Sequence, residues 1–256
     1  MNRYCVLESF GKVDPGDFYE FRVKSITSES LHSEAGFIDT LAKRLMQRYE
    51  SQSVDEMLEL EIELDNPDRT KHFYRRLFDK EKNGEYTQEF VTIASETMGL
   101  WIEERLDQVA YAHSGIPHNS DPAYDILSIY LEDETPRLRL VQVKATDCEL
   151  QSNCGLAIAK FERLESGDYD AELSASLDLM LKQRDVPPGL IARELKLNRR
   201  YRVTVIHNER RDGIKIMTTF HEKVKGDTIR RSCVLVKIDW PDLWQQVARR
   251  VYAQLA

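Results

Sequence analysis

Apolar positions change period along the chain, and each change marks an element. From Ser33 to Tyr49, Phe37, Ile38, Leu41, Leu45 and Met46 recur three and four residues apart, the spacing of one helix face, with Ser33 as the N-cap. Residues 18–24 alternate in part and predict a strand. Met57 to Leu64 ends in strict alternation, which suits a half-buried strand, and Asn66-Pro67-Asp68 stops it. Thr70 to Lys80 reads as a helix and Asn83-Gly84 as a turn. Thr87 to Ala112 predicts one long amphipathic helix carrying Phe90, Ile93, Ala94, Leu100, Trp101, Leu106 and Val109, broken by the Gly-Pro loop His113 to His118.

Two β-branched runs follow, Tyr124 to Leu131 and Leu138 to Ala145, separated by the polar Glu132 to Arg137. They predict an antiparallel hairpin. Gly155–Leu164 and Ala171–Gln183 are helical. Tyr201–His207, Ile214–Phe220 and Ser232–Ile238 are strands, and a helix runs from Trp240 through Val251. The sum is an α/β (α+β) chain with a mixed central sheet flanked by helices. Residues 1–86 form an N-terminal extension suited to docking a partner, and residues 87–256 form the core.

Composition narrows the class. Hydrophobic residues make up 41% and charged residues 31%, a globular balance rather than a disordered one. No apolar run approaches the ~18 residues of a membrane span. The first residues lack a secretory signal, so the four cysteines are expected to be reduced thiols in a cytoplasm. No P-loop motif is present, so any ATP-driven step must come from a partner. Of the six histidines, His113 and His118 read as loop residues and His207 as a strand end, and Trp101, Trp240 and Trp244 read as core or interface anchors. The net charge of -8 is uneven. Ser51 to Asp68 holds seven acids and no base. Lys196 to Lys237 holds twelve bases and four acids, and there Arg199, Arg200, Arg230 and Arg231 are the candidate phosphate contacts.

The chemistry concentrates on the hairpin. Asp125 opens its first strand. Gln142 and Lys144 are two apart on the second, so they share one face. Buried among aliphatics, a Gln-x-Lys pair needs partners, and a cation with a phosphate would supply them. Mg²⁺ or Mn²⁺ favours oxygen ligands: the Asp125 carboxylate, the Gln142 amide oxygen and the Val143 carbonyl. Lys144 would position an attacking water and offset charge on the phosphate. An acid on the preceding helix would complete the set. Glu96 is favoured, because Gly99 lets a neighbour approach closely, and Glu103 is its rival.

Tyr124-Asp125-Ile126 followed by Val141-Gln142-Val143-Lys144-Ala145-Thr146, in the order helix, hairpin, helix, strand over residues 87–207, resembles the Mrr-like branch of the PD-(D/E)xK nuclease superfamily, where Gln can replace the usual Glu. Ser95-Glu96-Thr97-Met98-Gly99 resembles the nuclease subunit of Hachiman-type and related bacterial antiphage systems. The resemblance implies a restriction-endonuclease-like core and a magnesium-dependent deoxyribonuclease. Asp125, Gln142 and Lys144 would be catalytic, Glu96 supporting, DNA the substrate and a helicase the restraining partner. The alternative is an inactive nucleic-acid-binding or partner-interaction module of the same fold.

Overall fold

The computed structural model describes residues 6–8, 23–25, 36–59, 78–79, 85–106, 108–114, 124–132, 135–147, 150–182, 199–208, 231–238 and 240–255. The elements are β1 (Val6–Glu8), β2 (Val23–Ser25), α1 (Phe37–Glu59), β3 (Phe78–Asp79), β4 (Glu85–Tyr86), α2 (Gln88–Leu106) and β5 (Gln108–Ser114). They continue with β6 (Ile126–Glu132), β7 (Thr135–Thr146), α3 (Leu150–Ser166), α4 (Asp170–Lys182), β8 (Arg200–Asn208), β9 (Arg231–Ile238) and α5 (Trp240–Leu255).

A five-stranded sheet in the order β5-β6-β7-β8-β9 organises them. β5 to β7 form an antiparallel meander, whereas β7, β8 and β9 run parallel. Parallel neighbours need a crossover, and α3 and α4 stand between β7 and β8 in the chain. The protein is therefore α+β, with a mixed sheet flanked by helices.

Register assigns the two faces. Ile126 pairs with Val141, and Val143 with Thr204, so Ile126, Val141, Val143 and Ile206 share one face. That face packs on Phe37, Leu41 and Leu45 of α1, Phe90, Ala94 and Met98 of α2, and Trp244, Val247 and Val251 of α5. On the other face α3 lies against β7 and β8, and Phe161 meets Tyr201 with ring centroids 4.8 Å apart. Trp101 and Trp244 are buried, as their helical positions predict.

Several boundaries differ from the sequence reading. The first helix begins at Phe37 and does not stop near Tyr49. It runs to Glu59, so Met57–Glu59 is helix rather than strand. Residues 50–59 contain no Gly or Pro, and a helix already nucleated on a packed face propagates through such a run. Phe78–Asp79 is a strand, not the end of a helix. It pairs with Glu85–Tyr86, and the Asn83-Gly84 turn signal lies outside the described residues. The long helix ends at Leu106, and Gln108–Ser114 forms β5 against β6. Val109, Tyr111 and His113 alternate there, a short strand signal that the preceding helical period masks. The hairpin connection is tighter than expected, because pairing reaches Glu132 opposite Thr135. Part of the strand expected at 18–24, the helix at 70–77 and the strand at 214–220 lie outside the described residues.

A buried ion cluster ties α2 to the sheet. Glu103, fully shielded, accepts from Arg139 Nη1 at 2.9 Å, Arg202 Nη1 at 2.7 Å and Ser128 Oγ at 2.8 Å. Burial alone would raise its pKa. The Arg202 and Arg139 guanidinium groups and the Ser128 hydroxyl outweigh that and hold it below the ordinary carboxylate range. Removing one member of such a set leaves buried charge uncompensated. Glu103→Gln is therefore expected to cost ~3–5 kcal/mol in denaturant unfolding at pH 7. A loss below ~1 kcal/mol would show that the arginines find other compensation.

Candidate active site

Helix α2 crosses the sheet so that Glu103, Gly99 and Glu96 lie on one stripe, four and three residues apart. Glu103 meets Ser128 and Arg139. Gly99 stands over Val143 and Ile126: a Cβ there would be 2.6 Å from Val143 Cγ2 and 3.5 Å from Ile126 Cδ1. Position 99 thus needs glycine for close approach, as the sequence suggests. From Glu103 to Gly99 the helix advances ~6 Å, which matches the two-residue step from Ser128 to Ile126 along β6. One further turn back on the same stripe stands Glu96, near enough to act on the Asp125 carboxyl.

The chain sets Asp125 by its backbone. Its N–H donates to the carbonyl of Val141, the residue paired with Ile126, at 2.9 Å, which ties Asp125 to β7 just ahead of β6. Its carboxylate then turns back on β7. Oδ2 accepts from the Val143 N–H at 2.6 Å, and Oδ1 lies 3.5 Å from Gln142 Nε2. In an extended strand a residue's N–H and C=O project to the same edge, so the Val143 carbonyl is also directed to the Asp125 side. Gln142 is fully buried. Lys144, half-buried, shares its face of the sheet, while Val141 and Val143 face α2.

Burial pushes the Asp125 carboxyl up to about 6, and the nearby Glu96 carboxylate adds to the rise. Lys144, the Val143 N–H and Lys160 of α3 pull in the opposite direction. The structure thus brings Asp125, Gln142, Lys144 and Glu96 together and adds Lys160, which sequence reasoning missed. Lys160 borders the buried residues Ala157, Ile158, Phe161 and Leu164 on a charged helix, and nothing in its spacing marks it out. Glu103 is committed to its ion cluster, so Glu96 is the helix acid that bears on Asp125.

Glu96 is paired in turn with Arg48 of α1, whose Nη2 donates to its Oε2. Arg48 is the second residue missed, although it left a trace: it falls three and seven positions after Leu45 and Leu41, on the buried stripe. The expected phosphate contacts are placed differently. Arg200 is only 8% exposed, and Arg199 is held by Glu165 at 3.1 Å, Asp170 at 3.4 Å and the Leu164 carbonyl at 2.6 Å. Both are thus committed to the fold. Arg231 stands in β9 opposite Tyr201, and Arg230 lies outside the described residues. His113 is a strand residue opposite Leu127 rather than a loop residue. His207 is buried at the end of β8 opposite Thr146.

Among the described residues no group of three or more His, Cys, Asp or Glu is placed to hold a metal ion. The donors at Asp125 are of another kind: one carboxylate, one amide whose two ends exchange by rotation, and one backbone carbonyl. That set fits a hard cation such as Mg²⁺, which takes one or two carboxylates and completes its shell with water and phosphate. Among the described residues no helix is long and apolar enough to cross a membrane. No protein-family model matches the chain, and no curated protein is significantly similar to it.

The raised Asp125 carboxyl has a consequence for stability. The folded state binds its proton more tightly than the unfolded chain, whose ordinary value is 3.8. This contribution to folding is most favourable below about pH 4, weakens as pH rises towards about 6, and costs ~3 kcal/mol at higher pH. Asp125→Asn removes it. With EDTA present, the variant is expected to gain stability over the parent across that window and to hold the gain at pH 7.5. A difference between the two proteins that does not change from pH 4 to pH 7.5 would mean that Asp125 titrates normally.

Proposed function

We propose that the chain is a metal-dependent DNA endonuclease or nickase subunit with a PD-(D/E)xK, restriction-endonuclease-like core. The observation that carries this reading is the convergence of Asp125, Gln142, Lys144 and Glu96 at the head of the β6–β7 hairpin. The order helix, hairpin, helix, strand supports it, with β5 added ahead of the hairpin. Asp125, the Val143 carbonyl and the Gln142 amide oxygen would hold Mg²⁺ or Mn²⁺, which when bound polarises a phosphodiester and makes hydroxide available. Lys144 orients the attacking water and offsets charge on the phosphate, and Lys160 adds positive potential from the α3 side.

A partner controls this activity in the same proposal. The acidic segment Ser51–Asp68 begins on the last turns of α1 and is suited to docking a basic surface. The ATP-driven helicase implied by the Hachiman-type resemblance is the proposed partner, in a cytoplasmic antiphage complex. A second reading, an inactive nucleic-acid-binding or partner-interaction module of the same fold, draws on the neutral residue at 142 and on the pairing of Glu96 with Arg48.

The deciding experiment is plasmid cleavage in Mg²⁺ by the isolated chain, by the complex, and by the complex with ATP. Cleavage should need a divalent cation, respond to the partner, and fall by about 10²-fold or more in Asp125→Ala and Lys144→Ala. No cleavage in any state, with cellular activity indifferent to Lys144→Ala, would favour the inactive module. Gln142→Glu provides a separate check. It should tighten Mn²⁺ binding by adding a charged ligand, and it should destabilise the metal-free fold by burying a second carboxylate beside Asp125. Unchanged affinity would remove Gln142 from the ligand set.

A further inference from the structure

Arg48 belongs to the predicted N-terminal extension, yet its side chain is buried against α2. It makes three contacts with α2: Nη2 with Glu96 Oε2, and Nη1 at 3.3 Å from both the Ile93 carbonyl and Thr97 Oγ1. Those acceptors fix the plane of the fork, so the carboxylate it grips is fixed as well. The helix that presents Arg48 is itself anchored, through Phe37 tilted against Trp101 with ring centroids 4.7 Å apart and an Arg44–Glu104 pair at 2.7 Å. Glu96 lies one turn before Gly99, on the stripe that meets the sheet at Val143 and Ile126.

We propose that Arg48 is a positioning residue of the Asp125 site: it holds the Glu96 carboxylate in the rotamer that faces Asp125, which makes α1 a structural part of that site. Glu96 is 22% exposed, so without Arg48 its side chain has an open route to water. The negative charge it lends to a cation at Asp125 would then be lost. The proposal rests on reading Asp125 as the anchor of a cation site. It gives the N-terminal region a direct path to that site, because any partner that shifts α1 also shifts Arg48.

The test is Mn²⁺ binding to the purified full chain, followed by electron paramagnetic resonance without substrate. Asp125→Ala checks the reading beneath: unchanged Mn²⁺ affinity in that variant would overturn the cation site, and this proposal with it. If Asp125→Ala abolishes binding, Arg48→Met and Glu96→Gln should each weaken it about tenfold, the lower end of the effect of outer-shell partners. The double variant should be no weaker than Glu96→Gln alone, because Arg48 acts only through Glu96. Arg48→Lys keeps the charge but not the fork, and should fall between parent and Arg48→Met. If Arg48→Met does not fold, Arg48→Lys serves in its place, with weakened binding expected when Glu96 is present and no further change when it is Gln. Additive losses, unchanged affinity in the Arg48 variants, or tighter binding would each overturn the proposal while leaving the Asp125 site standing.

Discussion

The approach of α2 to the β6–β7 hairpin at Gly99 governs everything at the candidate site. A glycine lets the helix backbone settle on Val143 and Ile126 more closely than any other residue would allow. That contact fixes the height of the helix above the sheet. The height in turn decides what the flanking residues of the same stripe can reach. One turn onward, Glu103 is lowered into Ser128, Arg139 and Arg202. One turn back, Glu96 is brought to the head of the hairpin. A side chain at position 99 would lift the helix and loosen both ends, because interiors this closely packed cannot absorb a methyl group without shifting.

The two glutamates show how environment divides labour between identical side chains. Glu103 is enclosed, neutralised by two guanidinium groups and supported by a hydroxyl, so its charge is fully spent on holding layers together. Glu96 is partly open to water and gripped by a single arginine, which leaves its field to act on Asp125. Asp125 is the opposite of Glu103: buried, held by one strong backbone hydrogen bond and a long amide contact, and raised rather than lowered in pKa. A buried carboxylate left so incompletely compensated is costly, and sites that bind cations are where proteins tolerate such a cost.

Much of this was legible in the sequence, for identifiable reasons. The hairpin declared itself through two β-branched runs. The two-residue spacing of Gln142 and Lys144 put them on one face, and Gly99 signalled a close approach. What remained hidden depended on tertiary partners. The strand Gln108–Ser114 continued a helical period and is a strand only because β6 offers it an edge. The helix takes in Met57–Glu59, the start of the stretch read as a strand, and the alternating residues 60–64 lie outside the described residues. Arg199 and Arg200 looked like a basic surface pair because burial and ion pairing are not written in a charge count. Lys160 and Arg48 reach the site from helices far apart in sequence, which no local pattern could place.

The neutral residue at 142 follows from the same electrostatic constraint. Gln142 is fully buried and its amide lies against Asp125. A glutamate there would put a second carboxylate beside one already raised by burial and by Glu96, and two such groups at contact cannot both stay ionised without a counter-ion. The cations nearby already act on the carboxylates present: Arg48 is paired with Glu96, and Lys144 and Lys160 act on Asp125. Glutamine keeps an oxygen at that position and removes the repulsion. In the proposed reading, the consequence would be a weaker hold on a cation than a second carboxylate would give. In the proposed reading, a site of this kind is stable when idle and depends on additional ligands, a phosphate above all, to complete it. In that reading its affinity for a cation would be coupled to the presence of substrate, and the ligand set itself would hold the activity in check before any partner acts.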